Sequence, residues 1–190
     1  MRIIAGTAKG HTLKTPASIT RPTMDRVRAA IFSILGERVP NASVLDLFAG
    51  TGAMGIEALS RGAAAATFVD QDKKSVEVIR QNLMLTKLKG ELKQGDVLSF
   101  LKHQQEKFDL IFADPPYASK SDTDWISKLL TTPELLKAMN EEALLVLECE
   151  KSQLLPEVVE LEKIIDRTYG ITRVVIFKLE IRGQASNFKF

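Results

Sequence analysis

Val44-Leu45-Asp46-Leu47-Phe48 is a short, almost wholly apolar run that closes on Ala49-Gly50-Thr51-Gly52 and opens into a helical pattern, Gly55-Ile56-Glu57-Ala58-Leu59. A strand, a glycine turn and a helix in that order constrain the fold strongly, because a strand feeding a helix meets its next parallel neighbour only by a crossover. The alternation recurs. Residues 66–70 read as a second strand, and Val76, Ile79 and Leu83 give the following segment an apolar stripe at helical spacing. A weak strand near Leu92 ends at Gly95-Asp96 and precedes a short helix to Gln105. Residues 108–113 form a fourth strand, residues 124–139 a helical region broken before Pro133, and residues 143–149 a fifth strand. Residues 163–168 and 171–179 read as a hairpin about Tyr169-Gly170. Near-continuous apolar strands between helices predict an α/β fold, a mostly parallel sheet covered on both faces, with an antiparallel end.

Composition narrows the class. With 45% apolar and 26% charged residues in 190, the chain is an ordinary globule with room for one main core. No run approaches the roughly 20 uncharged apolar residues of a membrane span, and the first residues carry no apolar leader. One cysteine, Cys149, allows neither an internal disulfide nor a thiolate metal cluster. The expectation is a cytoplasmic, monomeric protein without a metal. Net charge is only +2, but residues 1–40 hold seven basic side chains against two acidic ones, while the remainder has 19 basic and 22 acidic. Ile3-Ile4-Ala5-Gly6 and His11-Thr12-Leu13-Lys14 flank a turn at Lys9-Gly10, so residues 1–20 are expected to form a basic β-hairpin extension to a domain of residues 21–190. After Arg21-Pro22-Thr23, a helix to Arg38 puts Val27, Ala30, Ile31, Ile34 and Leu35 on one face and leaves Arg28 towards the polar side. A cationic arm on a mildly acidic body suits nucleic acid, and equally a solvated basic face.

Gly50-Thr51-Gly52-Ala53-Met54-Gly55 is a G-x-G-x-x-G between strand and helix, a spacing that chance gives in about one chain in fifteen. Asp70, 20 residues past Gly50, is placed to meet ribose hydroxyls. These features fit a nicotinamide dinucleotide and an adenosylmethionine nucleoside alike. Asp46 inside the strand tips the balance, because a carboxylate would repel pyrophosphate but suits a cofactor bearing an ammonium and a sulfonium. Asp46 can also brace the loop. Asp96, with the Val97 N–H beside it, is positioned for an adenine amino group, and is equally an N-cap for the following helix.

Asp114-Pro115-Pro116-Tyr117 is the most specific motif, expected by chance in about one chain in a thousand. Pro116 forces Pro115 into an extended conformation, which stiffens the loop and presents the Pro115 carbonyl. A carboxylate and a carbonyl together accept both hydrogens of an exocyclic amine, and Tyr117 offers a ring for stacking. A base amine is a poor nucleophile, and holding both N–H groups aims its lone pair at an incoming methyl carbon. His11 and His103 have no catalytic or metal-ligand constellation around them and read as surface residues; Cys149 reads as core and Trp125 as packing near the Asp114 loop. Glu148 and Tyr169 lie at strand ends without an assigned role.

At these motifs the chain resembles the class I adenosylmethionine-dependent methyltransferases that methylate amino nitrogens. Met1-Arg2-Ile3-Ile4-Ala5-Gly6, Arg21-Pro22-Thr23, Asp25-Arg26-Val27-Arg28 and Phe32 are similar to the RsmD family, which methylates guanine N2 in 16S ribosomal RNA. The resemblance implies a three-layer Rossmann-like fold with a seven-stranded sheet ordered 3-2-1-4-5-7-6. It also implies S-adenosylmethionine as cofactor, and 16S rRNA or a small ribosomal subunit particle as partner. Asp46, Gly50 and Gly52 would line the methionine end, Asp70 the ribose and Asp96 the adenine, with Phe48, Thr51, Gln71, Val97 and Thr23 as further cofactor-binding residues. Asp114, Pro115, Pro116 and Tyr117 would hold the base, and Arg2, Lys9, Lys14, Arg21 and Arg28 the RNA. Where the family's first hairpin is richer in cations, this chain has Thr7, Ala8, His11 and Thr12, which implies a weaker, less salt-sensitive grip on phosphates. Competing readings are an amino-methyltransferase acting on DNA adenine or protein glutamine, a nicotinamide oxidoreductase, and a non-catalytic RNA-binding protein.

Overall fold

The computed structural model describes residues 1–15, 22–116 and 123–180. Helix α1 (Pro22–Leu35) passes through a 3-10 turn (Gly36–Arg38) into β1 (Ser43–Leu47). There follow α2 (Ala53–Ser60), β2 (Ala65–Asp70), α3 (Lys73–Thr86), β3 (Glu91–Gln94), α4 (Val97–His103) and β4 (Phe108–Ala113). The remaining elements are α5 (Trp125–Leu130), α6 (Pro133–Lys137), β5 (Met139–Glu150), β6 (Leu161–Tyr169) and β7 (Thr172–Leu179). The described strands form a seven-stranded sheet in the order β3-β2-β1-β4-β5-β7-β6, as the resemblance implied. Strands β1 to β5 pair in parallel, whereas β7 is antiparallel to both β5 and β6.

Strand alternation divides the core into two layers. Val44, Leu110, Phe112, Val146 and Ile176 pack with Ile31 and Phe32 of α1, Ile56 of α2 and Ile79 of α3. Leu45, Leu47, Ile111, Leu145 and Leu147 pack on the other face with Leu101 of α4, Leu129 of α5 and Leu135 of α6. The break expected before Pro133 is present, with Thr132 at the N-cap of α6 and the proline in its first turn. Strand β5 begins four residues earlier than expected, at Met139, through a stretch that carries a register shift against β4 and a positive φ of 65° at Glu142. Asp109 sits at this irregularity. Its Oδ2 accepts from the Ser43 N–H at 2.8 Å and its Oδ1 from Asn140 Nδ2 at 2.7 Å, which ties the starts of β1 and β5 to β4.

Residues 1–14 fold back on themselves, but with a single bridge, Arg2 to Thr12, rather than two extended strands. Ile3, Ala8 and Leu13 are buried in the α1–α3 layer, so the arm shares the main core. Gly6, at φ 81°, lies so close to α2 that an added Cβ would stand 1.7 Å from the Ser60 carbonyl oxygen. One expectation is corrected here. Arg28 does not lie on a polar face of α1. It is 3% exposed, its Nη2 bonds Asp25 at 3.0 Å and the Arg2 carbonyl, and its Nε stands 3.6 Å from Glu57. The buried Glu57 carboxylate draws the guanidinium inward, and Arg28 is unavailable to an RNA phosphate.

Candidate active site

The chemically distinctive loops, after β1, β2 and β4, emerge together beyond the carboxyl ends of neighbouring parallel strands, where ligands bind in open α/β sheets. In the loop after β1, Phe48, Gly50 and Gly52 all have positive φ, at 55°, 54° and 73°. Two carboxylates hold the loop. Asp70 Oδ2 accepts from the Gly50 N–H at 2.7 Å, and Asp46 Oδ2 accepts from the Gly55 N–H at 2.9 Å. A Cβ at Gly55 would meet the Phe68 ring at 2.3 Å, so the third glycine serves helix–strand packing. Thr51 is buried, and its carbonyl accepts from Asn82 Nδ2 at 3.0 Å. The Phe48 ring stands edge-on to Trp125 at 5.7 Å between centroids, which links the glycine loop to α5.

Asp96 caps α4, its Oδ1 accepting from the Ser99 N–H at 2.8 Å; its second oxygen accepts from no described residue. The Val97 side chain is core, so a contact to a ligand from this residue would come through its backbone. Gln71 is exposed beside Asp70. Pro115 is buried, while Asp114 and Pro116 keep solvent-facing surface. Tyr117 and Arg21, and the side chain of Thr23, lie outside the described residues.

Three carboxyl groups meet at this edge. The residue pair Ala113 and Leu147 is in register between β4 and β5, so Asp114 and Glu148 follow side by side, and alternation turns both toward the face that carries Asp46. Burial pushes Asp46 up to about 8, the Gly55 hydrogen bond opposes it, and the charges of Asp114 and Asp70 add to the rise. Glu148 is likewise raised to about 8 by burial and by Asp114, against a lowering pull from Arg28. Asp114 retains an exposed edge, yet the strand ends around it displace enough water to raise its carboxyl to about 6. Such a cluster is costly by itself and favours a cationic ligand or a proton donor.

Arg2, Lys9 and Lys14 are exposed on the arm. The arm is held by residues that no sequence motif singled out. Glu57, fully buried within α2, accepts from the N–H groups of Ile4 at 2.8 Å and Ala5 at 3.0 Å and from Arg61 Nε at 2.7 Å. Asn82, fully buried on α3, accepts from the Lys14 N–H at 2.8 Å and donates to both the Lys14 and Thr51 carbonyls. The only available signal was one polar residue within each apolar helix face. His11 and His103 are exposed and Cys149 is buried, as expected. Among the described residues no helix is long and apolar enough to cross a membrane.

Comparison with known proteins adds a family. A family model described as Conserved hypothetical protein 95 matches residues 1–178. A Putative rRNA methyltransferase YlbH of Bacillus subtilis is 37% identical over 94% of this chain and 98% of its own length. The Ribosomal RNA small subunit methyltransferase D of Escherichia coli K12 is 36% identical over 83% of this chain and 79% of its own. Among solved structures, a Putative methyltransferase yhhF from Escherichia coli superposes with a TM-score of 0.78 at 29% identity, covering 96% of this chain and 99% of that one.

Proposed function

We propose a function from one premise: this chain belongs to the Conserved hypothetical protein 95 family, the RsmD family of the motif resemblance. It is an S-adenosylmethionine-dependent ribosomal RNA methyltransferase, and its target is the exocyclic N2 of a guanine in 16S rRNA, in free RNA or in a small-subunit particle. It acts in the cytoplasm, where ribosomal subunits are assembled, and one chain supplies all the groups required.

The observation that carries this reading is the way the glycine loop spends its N–H groups. A dinucleotide loop offers them to pyrophosphate, but here Gly50 and Gly55 donate to Asp70 and Asp46. Two amides of the loop are thus occupied and two carboxylates stand against it, which disfavours an anionic pyrophosphate and suits a cofactor with cationic groups. Asp46 and the loop Phe48–Gly52 would hold the methionine end, Asp70 and Gln71 the ribose, and Asp96 with the Val97 backbone the adenine, with Thr23 beside them. The bound cofactor supplies an electrophilic methyl group on its sulfonium.

Asp114 and the Pro115 carbonyl each accept one hydrogen of the base amine, which favours pyramidal nitrogen and aims its lone pair. As positive charge develops on that nitrogen, the Asp114 carboxylate stabilises it and then takes the departing proton. A carboxyl raised to about 6 is ionised at neutral pH yet basic enough to accept. Tyr117, two residues after Pro115, is assigned to stacking on the base, and Arg2, Lys9, Lys14 and Arg21 to phosphates.

The test is incubation of the purified protein with methyl-labelled cofactor and small-subunit rRNA or particles from cells lacking the gene, followed by nucleoside analysis. N2-methylguanosine in the small-subunit RNA is expected. Label on adenosine alone, or no transfer to either substrate, contradicts the reading.

A further inference from the structure

Glu148 occupies the site without a structural duty. Its neighbours along the same face of β5 are Leu144 and Val146, both buried in the apolar layer, and its partner across β7 is the buried Val174. No described residue donates a hydrogen bond to its carboxyl. The nearest favourable charge is Arg28, whose Nη2 bonds Asp25 and the Arg2 carbonyl and whose Nε faces Glu57 at 3.6 Å, and it makes no hydrogen bond to Glu148. The fold would gain by an apolar residue here, since a half-buried carboxyl beside two others is held at a cost in stability. Groups retained in that condition point to a ligand.

The chemistry of the neighbouring position names that ligand. Asp114 and Pro115 hold the base amine at the end of β4, and the cofactor cleft lies on the β1 side, so the purine ring is left the β5 side. On the Watson–Crick edge of guanine, the ring nitrogen beside the 2-amino group is N1, which carries a hydrogen, N3 lying on the sugar side; on the same edge of adenine, the ring nitrogen beside the 6-amino group carries a lone pair. A carboxylate accepts from the first and repels the second.

We propose that Glu148 is the specificity-determining residue of this site, its carboxylate accepting the N1–H of the target guanine while the Asp114–Pro115 corner holds the 2-amino group. This rests on the guanine-N2 reading and adds to it the group that excludes other amino-purines. The cations of the bound cofactor and the N1–H donor together favour the ionised carboxylate that the role requires, offsetting the repulsion from Asp46 and Asp114.

The probe is 2-aminopurine, which keeps the 2-amino group but presents a lone pair at N1. Small-subunit rRNA is assembled by ligation with guanine or 2-aminopurine at the methylated position, and presented free or in particles, whichever the wild-type protein modifies. Wild type is expected to favour guanine by roughly 100-fold or more in kcat/KM. Glu148→Gln, whose amide can accept or donate, should bring that ratio within about threefold, and Glu148→Ala should lower it comparably. Intrinsic differences in amine reactivity cancel between the proteins. Both variants should melt at or above the wild-type temperature, which separates the effect from misfolding. Undiminished preference for guanine in the two folded variants overturns the role of Glu148. Wild-type transfer to an amine other than guanine N2 shows in the first arm, before any variant is compared, and overturns the underlying reading together with this one.

Discussion

Asp70 joins the glycine loop to the turn after β2 with one carboxylate: Oδ2 takes the Gly50 N–H at 2.7 Å and Oδ1 takes the Asp72 N–H at 2.8 Å. The residue that would meet the ribose therefore also fixes the loop that would cradle the methionine end. Asp70→Ala removes both restraints and leaves Gly50 to hold its left-handed backbone unaided. We expect a loss of about 1–3 kcal/mol in urea unfolding and a fall in cofactor affinity of at least tenfold by calorimetry. Unchanged affinity with the same stability loss would limit Asp70 to a structural role.

Asp114 is expected to divide binding from chemistry. Asp114→Ala removes a partly exposed side chain and one repulsive neighbour of Asp46, so the fold and the cofactor affinity should survive. Methyl transfer should drop by about 10²–10³-fold or more, the scale of losing one transition-state partner. Single-turnover rates beside cofactor titrations check this, and near-normal turnover would refute the amine-holding role.

The raised carboxyls make a pH prediction. Asp46 at about 8, Glu148 at about 8 and Asp114 at about 6 all lie above their unfolded values. Their contribution to stability is present below about pH 4 and is lost as pH rises through 6 to 8. A cationic cofactor prefers the ionised groups, so its binding releases protons. Asp46→Asn keeps an acceptor for Gly55 but cannot ionise. The affinity advantage of wild type over this variant should grow between pH 6 and 8, with proton release visible as a buffer-dependent binding enthalpy. A constant advantage across that range would contradict the assignment.

The arm should act on RNA and not on the cofactor when its charges alone are changed. Reversing Arg2, Lys9 and Lys14 to Glu leaves the backbone bonds to Glu57, Ser60 and Asn82 in place. RNA affinity should fall at least tenfold, with a shallower dependence on salt, while cofactor affinity stays within about twofold. Equal loss of both would indicate a disrupted core.

Undocking the arm is a different experiment. Gly6→Ala forces a Cβ against the Ser60 carbonyl at a positive φ, which should cost about 1–3 kcal/mol of stability and expose residues 1–14 to protease. A variant as stable and as resistant as wild type would show that the arm does not depend on this close approach.

How much of this was legible beforehand depends on the range of the interaction. The strand order followed from a recognised resemblance, and the strands themselves from local apolar runs such as Val44–Leu47, because a buried parallel strand carries its own signature. The Asp46, Asp70 and Asp114 positions were readable because each sits at a fixed distance from a glycine or proline motif. Arg28 was misread because helical periodicity sees only its own helix, and the charge that buries it, Glu57, comes from α2. Asn82 carries no local signal of its role, because its partners, the Lys14 backbone and the Thr51 carbonyl, come from distant segments. Glu148 gains its meaning from the β4–β5 register, which no local pattern contains.

The most direct measurement is a crystal structure of the protein with S-adenosylhomocysteine and a target guanine in an RNA fragment. The guanine N2 is expected within about 3.2 Å of both an Asp114 carboxylate oxygen and the Pro115 carbonyl oxygen, facing the sulfur of the cofactor product. A guanine seated with its N2 turned away from Asp114, the cofactor product being in place, would contradict this expectation.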